Sequence, residues 1–421
     1  MKRITLNYGK EKIVLNIPKQ MIAWQAAPMK ATTKKSFSDL VKDSLDKPIN
    51  AERIEVFGKG KKNAIVVIDD NTRPTPIRLV LPEVIKRLKK AGIESENIKI
   101  LVALGTHRKM TEDELIEKCG EDIFKSFDVV QHDYLDKNNL VNVGLKESDL
   151  PISINKTYYN SDFKIVIGNI IPHIDAGWSG GAKILLPGIC GKDTINSFHL
   201  KSTLNKSEII GKTENCMRAD MERVAAIAGL DYIINTILDI DDNLADIVSG
   251  HYVNAHRKGV ELAKKFFEIK EKEKADIVLV SGYPADEDFW QAGKAVSTAE
   301  PLVKEGGIIL LISPCYGGIA PDHPILLELS GKDPKEVIEL IERKEIDDLA
   351  GAAVYIDVFK AKEKSKIIVY SQGISKKDAK KIGFQKIDCI DSFLKKYISD
   401  NPFNRIGVIN RGTEIVPRLE N

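Results

Sequence analysis

The sequence predicts an α/β protein of two domains with largely parallel sheets, and three observations carry that expectation. Short, wholly apolar runs alternate with segments of helical period, the pattern of parallel strands covered on both faces by helices. A chain of 421 residues is too long for one ordinary core. The charged stretch Glu268-Ile-Lys-Glu-Lys-Glu-Lys-Ala275 then separates one α/β alternation from a second. It reads as a helix end and interdomain linker, which sets domains of 1–272 and 273–421, the second Rossmann-like.

Taken in order, residues 1–18 alternate apolar and polar about Gly9, a hairpin pattern rather than the apolar core of a signal peptide. Residues 63–69 form an apolar run of the buried-strand type. From Ile77 to Ala91, the residues Ile77, Val80, Leu81, Val84, Ile85 and Leu88 share one helical face. A second strand follows at 98–104, and Thr111-Glu-Asp-Glu114 matches a capping box that opens the next helix. A third strand spans 163–168, and Asp193-Thr194 is an N-cap signal for a helix carrying His199. The second rhythm places strands at 276–281, 307–313, 366–370 and 405–409, with helices at about 288–305 and 334–345.

Composition narrows the function classes. Lys+Arg 63 against Asp+Glu 61 gives a net charge of +2, without the basic block of a nucleic-acid footprint. Charged residues at 29% and hydrophobics at 43% fit a globular protein, and no apolar run nears the roughly 18 residues that suggest a membrane span. The five cysteines are odd in number and lack a Cys-x-x-Cys pair, which points to a reducing, cytoplasmic setting and away from structural zinc.

Where the strands empty is more informative than the strands themselves. The 63–69 run leads into Asp69-Asp70-Asn-Thr72-Arg73, the 98–104 run into Gly105-Thr-His107, and the 163–168 run into Asn169-Ile-Ile-Pro-His173. Ligands of open α/β sheets bind beyond the carboxyl ends of the strands. The chain has only seven histidines, yet two of them, His173 and His199, bracket Ser179-Gly180-Gly181-Ala-Lys183. Glycines permit close backbone approach and can expose N–H donors, and a lysine leaving such a turn is placed to act as a charge or a nucleophile. The turn lacks Walker A spacing. In the second domain, Trp290 and Gln291 precede Lys294 on one helical turn, with a solvated helix terminus and a buried tryptophan as the plainer reading.

This set, Asp70-Asn-Thr72-Arg73, Gly105-Thr-His107, Pro172-His173, Ser-Gly180-Gly181-Ala-Lys183, His199 and Trp290-Gln291-x-x-Lys294, strongly resembles the nickel-dependent lactate racemase family over nearly the whole chain. The resemblance implies an active site in an interdomain cleft and a nickel pincer nucleotide joined to Lys183 through a thioamide. It implies His199 as a nickel ligand and His107 and His173 as paired acid/base groups. Asp70, Thr72, Gly180 and Gly181 then belong with the cofactor, and Arg73, Trp290, Gln291 and Lys294 with the substrate. Proteins that build the cofactor and insert nickel are implied as partners, with a small 2-hydroxy acid as substrate, and neither nucleic acid nor membrane. Tyrosine is expected at the Trp290 position in the best-known lactate enzymes, so the substrate here can be another 2-hydroxy acid.

The chemistry is consistent. Removing the C2 proton of a 2-hydroxy carboxylate would place a second negative charge beside the first, whereas moving hydride to an electrophilic ring avoids that carbanion. Delivery to either face calls for two bases, and neutral imidazoles suit this near pH 7. The competing readings are an epimerase of a larger sugar acid and a non-catalytic, two-lobed binder of small anions. A zinc hydrolase is disfavoured by the absence of a histidine ligand cluster.

Overall fold

A parallel sheet at the centre of each of two units organises the chain. The computed structural model describes residues 1–31, 35–144, 150–205 and 209–420. One unit comprises Met29–Ile171 and Asp175–Phe266, and is called the first here. The second comprises Met1–Pro28, Pro172–Ile174 and Phe267–Asn421.

In the first unit the strand order across the sheet is Leu244–Gly250, Tyr232–Leu238, Phe163–Asn169, Ala64–Asp69, Ile98–Ala103 and Asp128–Gln131. Every neighbour is parallel except the Tyr232–Leu238 and Leu244–Gly250 pair, which is antiparallel. Alternation splits the central strand between two cores. Val66 and Ile68 pack with Val80, Leu81, Val84 and Leu88 of the Ile77–Lys90 helix. Ile65 and Val67 face Met217, Met221 and Val224 of the Cys216–Ala228 helix. Both faces are covered, which is why these strands read as unbroken apolar runs. The capping box forms as expected: Thr111 caps the Glu112–Cys119 helix, and the Glu114 side chain returns to the Thr111 backbone.

The second unit has the order Gln385–Ile387, Lys366–Tyr370, Val303–Ile312, Ala275–Ser281, Ile406–Ile409 and Ile22–Ala26, parallel throughout. The amino-terminal hairpin, Lys2–Tyr8 paired with Glu11–Ile17, lays Ile4, Leu6, Leu15 and Ile17 over Ile277, Leu279, Leu310 and Ile312. The hairpin is as read, but residues 1–28 sit with the carboxyl-terminal unit, not with 29–272. Their apolar face covers one side of that sheet, and Ile22–Ala26 completes its edge beside Ile406–Ile409.

Several local expectations shift. The Glu268–Ala275 stretch is no free linker, because Glu268–Glu271 pairs in parallel with Val416–Leu419. The helix expected at 288–305 ends at Ala299, and the next strand already begins at Val303. The helix of His199 spans Lys192–Leu204 with Gly191, not Asp193 or Thr194, at its N-cap. Thr194 is engaged elsewhere: its hydroxyl donates to the Pro151 carbonyl at 2.5 Å and accepts from the Ser153 amide at 3.0 Å.

Candidate active site

The first unit's sheet reverses its order between Ala64–Asp69 and Phe163–Asn169. Such a switch point opens a crevice at the carboxyl edge, and the polar residues emerge there. Asp69 lies opposite Ala103 in the parallel register, so the two loops that follow leave the sheet side by side. His107 Nδ1 is 2.6 Å from Asp70 Oδ2. A carboxylate only accepts, so Nδ1 carries the proton of this bond, and Nε2 is the ring nitrogen that Asp70 leaves for another partner. The other Asp70 oxygen accepts from the Thr72 hydroxyl at 2.5 Å and the Thr72 amide at 3.1 Å. Burial works to raise the Asp70 pKa, but the hydrogen bond and charge of His107, followed by the charge of Arg73, outweigh it. They hold the carboxyl well below the usual carboxylate range.

Arg73 is half-buried and its loop is pinned from behind. Lys118 donates to the Arg73 carbonyl at 2.8 Å and pairs with buried Asp69 at 2.9 Å. Burial pushes the Asp69 carboxyl up, against the pull of Lys118.

The glycine turn lies at the same edge. The 3-10 turn Gly181–Ile184 carries half-buried Lys183 and packs near the carboxyl ends of the Ala64–Asp69, Phe163–Asn169 and Tyr232–Leu238 strands. Gly180 and Gly181 have φ of 74° and 56°, and a side chain on Gly181 would meet the His256 ring at 3.0 Å. The turn is shaped by residues that the sequence reading missed. Arg218, 1% exposed, donates to the carbonyls of Gly180, at 3.1 Å, and of Trp178. His256 Nε2 donates to the Ser179 carbonyl at 2.9 Å, and Asn235 Oδ1 accepts from the Gly181 amide at 2.8 Å. The Gly181 amide is therefore already engaged by a side chain of the unit. Burial lowers Arg218 to about 10 and leaves His256 neutral, well below its ordinary pKa. No spacing rule in the sequence links 218, 235 and 256 to a turn at 180; only the fold does.

His199 is half-buried on its helix, with Nδ1 facing Asp175 Oδ2 at 3.6 Å. Asp175 is held by the Ser202 hydroxyl at 2.8 Å. Among the described residues no three His, Cys, Asp or Glu side chains gather as a metal site. A metal at His199 would thus take most of its donors from a non-protein group. Asn169 Nδ2, buried at the end of its strand, has no hydrogen-bond partner, a donor suited to an acceptor on such a group.

His173 groups with the second unit, where Pro172–His173 lies beside the Gly412–Glu414 turn. That turn packs on the Phe289–Ala299 helix: a side chain on Gly412 would meet Ala295 Cβ at 2.9 Å. On the same helix Asp288 caps the Gln291 amide at 2.9 Å, and Lys294 Nζ donates to Gln291 Oε1 at 2.6 Å. Trp290, Gln291 and Lys294 are half-buried. The structure thus joins Asp70, Thr72, Arg73, His107 and the Lys183 turn on one sheet edge, and gathers His173 and the 290–294 group in the other unit.

Each unit thus carries its own group of ionisable side chains, Asp70–His107 with the Lys183 turn in the first and Lys294 with Gln291 in the second, and comparison with known proteins places the chain among the isomerases. The chain matches the lactate racemase N-terminal domain over residues 8–211 and the lactate racemase C-terminal domain over residues 270–416. It belongs to the lactate racemase family. It is 33% identical over 347 residues to the lactate racemase of Thermoanaerobacterium thermosaccharolyticum, covering 81% of each chain. It is also 33% identical over 348 residues to that of Lactiplantibacillus plantarum, covering 80% of this chain and 81% of that one. The solved structure of the T. thermosaccharolyticum lactate racemase apoprotein matches with a TM-score of 0.89 at 29% identity, over 99% of this chain and 100% of that one. A solved Thermotoga maritima protein, 22% identical with a TM-score of 0.70 over 91% and 96% of the chains, shares the fold. No helix among the described residues is long and apolar enough to cross a membrane.

Proposed function

We propose that this isomerase inverts C2 of a 2-hydroxy carboxylate, lactate or a close relative, by reversible hydride transfer with a nickel pincer nucleotide tethered to Lys183. The observation that carries the reading is the Asp70–His107 pair, held at 2.6 Å on the same sheet edge as the Lys183 turn. When bound, the cofactor supplies an electrophilic hydride acceptor. His107, fixed by Asp70 with Nε2 free to accept, takes the proton of the substrate hydroxyl for one enantiomer. His173 does so for the other, and each returns the proton in the reverse direction. Arg73 and Lys294 bind the carboxylate by charge-assisted hydrogen bonds, and Gln291 is oriented by Lys294. Holding the carboxylate lets the carbonyl intermediate turn without leaving.

The residues fit the cofactor. Lys183 stands on a turn whose glycines admit no side chain, Asn169 Nδ2 is an orphaned donor nearby in the fold, and His199 offers one imidazole with a carboxylate behind it. Asp70, Thr72, Gly180 and Gly181 line the cofactor side of the proposal. Cofactor-building and nickel-inserting proteins are the expected partners, and five unpaired cysteines suit a cytoplasmic location.

Co-expression with those partners, followed by intact-mass and nickel analysis and a chiral assay over several 2-hydroxy acids, tests the reading. Lys183→Ala is expected to lose the mass adduct and remain folded, and His199→Ala to keep the adduct with reduced nickel. An adduct that persists without Lys183 overturns the tether.

A further inference from the structure

Trp290 opens the Phe289–Ala299 helix one turn before Lys294, so the two side chains share a face at i and i+4. A tryptophan that only fills a core would be enclosed by apolar groups. Trp290 instead remains half-buried, with one edge against the apolar core and one ring face covered by an imidazole. The His323 ring lies 3.9 Å from the Trp290 ring, centroid to centroid, with the planes 17° apart. This is a face-to-face stack.

The imidazole is itself fixed. His323 Nδ1 lies 2.9 and 3.0 Å from the two oxygens of Asp348. Asp348 is in turn the N-cap of the Leu349–Lys364 helix, accepting from the Gly351 amide at 2.9 Å. A side chain at Gly351 would stand 2.6 Å from Asp348 Oδ2 and 2.2 Å from Ile325, so glycine there leaves room for the carboxylate. The indole's own backbone is tied to the segment just before His323: the amides of Phe289 and Trp290 donate to the carbonyls of Gly318 and Ile319, both at 2.9 Å. Helix cap, carboxylate, imidazole and indole form one chain of contacts, with a partly open ring at its end, next to Gln291 and on the face of Lys294.

We infer that His323, clamped by Asp348, sets the orientation of the Trp290 indole and so acts as a specificity-determining positioning residue for the substituent at C2 of the substrate. The inference rests on the proposed function, in which Gln291 and Lys294 hold the carboxylate. Given that, the neighbouring ring is the wall that the rest of the substrate meets. A wall with two rotatable side-chain angles selects by shape only if its rotation is blocked, and the stack blocks it.

The test uses the cofactor-loaded protein and the variants His323→Ala, His323→Phe and Asp348→Asn. Emission from Trp290 is isolated by subtracting the matching Trp290→Phe protein. In His323→Ala, acrylamide quenching of that emission rises because one indole face opens, and in His323→Phe it returns towards wild type. The ratio of kcat/KM for lactate to that for 2-hydroxybutyrate shifts by about tenfold in His323→Ala, the scale of one methylene in an apolar pocket. The shift arises mainly through KM, and His323→Phe restores the ratio. Asp348→Asn, which can still cap its helix, shifts both readouts in the same direction; it carries the test if His323→Ala does not fold. Unchanged quenching in His323→Ala and Asp348→Asn overturns the stack as a positioning device. Changed quenching with an unchanged ratio, or a ratio that phenylalanine fails to restore, overturns the specificity role. A wild-type protein that loads cofactor yet racemises no 2-hydroxy acid overturns the proposed function instead, and the quenching comparison separates that case from failure of the stack.

Discussion

At the scale of single residues, the site depends on how buried charge is arranged around exposed nitrogen. Asp70 costs free energy to bury and is kept ionised by His107 and Arg73, so its carboxylate orients the imidazole across the neutral range. Asp70→Asn is expected to reduce kcat/KM, measured per cofactor-loaded protein, by on the order of 10²–10⁴-fold, the worth of a well-placed acid/base group. Its folded pKa is depressed, so its stabilisation is complete above the unfolded value of about 3.9 and is lost as pH falls through the folded one. The stability gap between wild type and Asp70→Asn, from urea melts, should be flat down to about pH 4 and close below it. His256 makes the opposite kind of demand. It is buried neutral, whereas the unfolded chain protonates it near its ordinary pKa of about 6.5. Stability present above that pH is therefore lost below it, by up to about 1.4 kcal/mol per pH unit. His256→Gln should flatten the fall between pH 6.5 and 5 by about that slope, and an unaltered slope would show that His256 titrates in the fold. His132 is buried with its pKa lowered in the same way and adds to the fall in the same direction.

At the scale of elements, two helices support loops they do not belong to. The Glu112–Cys119 helix sends Lys118 to the Arg73 carbonyl and to Asp69. Lys118→Met removes the cation from a buried carboxylate, and should cost about 3 kcal/mol in urea unfolding. It should also raise KM more than it lowers kcat, because Arg73 loses its backbone anchor. The Cys216–Ala228 helix sends Arg218 beneath the glycine turn. The turn was legible from Gly180, Gly181 and Lys183 because glycine and lysine at that spacing have a local meaning. Its supports were not, because Arg218, Asn235 and His256 meet it only through tertiary packing. The cap of the His199 helix was misread for a related reason: Thr194 satisfied the local rule for a cap, yet Pro151 and Ser153 recruited its hydroxyl.

At the scale of the molecule, the first 28 residues decide where the units divide. Without them the second unit would expose Ile277, Leu279, Leu310 and Ile312 on one sheet face and an open edge along Ile406–Ile409. A fragment of 29–266 is expected to unfold cooperatively in urea, whereas a fragment of 267–421 should aggregate unless residues 1–28 are supplied with it. A soluble, cooperatively folding 267–421 fragment would show that the hairpin is dispensable.

The sequence by itself determined the parallel strands, the residues at their carboxyl ends and the family, since burial on both faces writes unbroken apolar runs and since the site motifs are local in the chain. Tertiary structure alone decided that residues 1–28 join the carboxyl-terminal unit, that His173 groups with that unit, and that His323 covers Trp290. Those choices depend on which distant surfaces match in shape and polarity, and such matching leaves no period or spacing in the chain to be read.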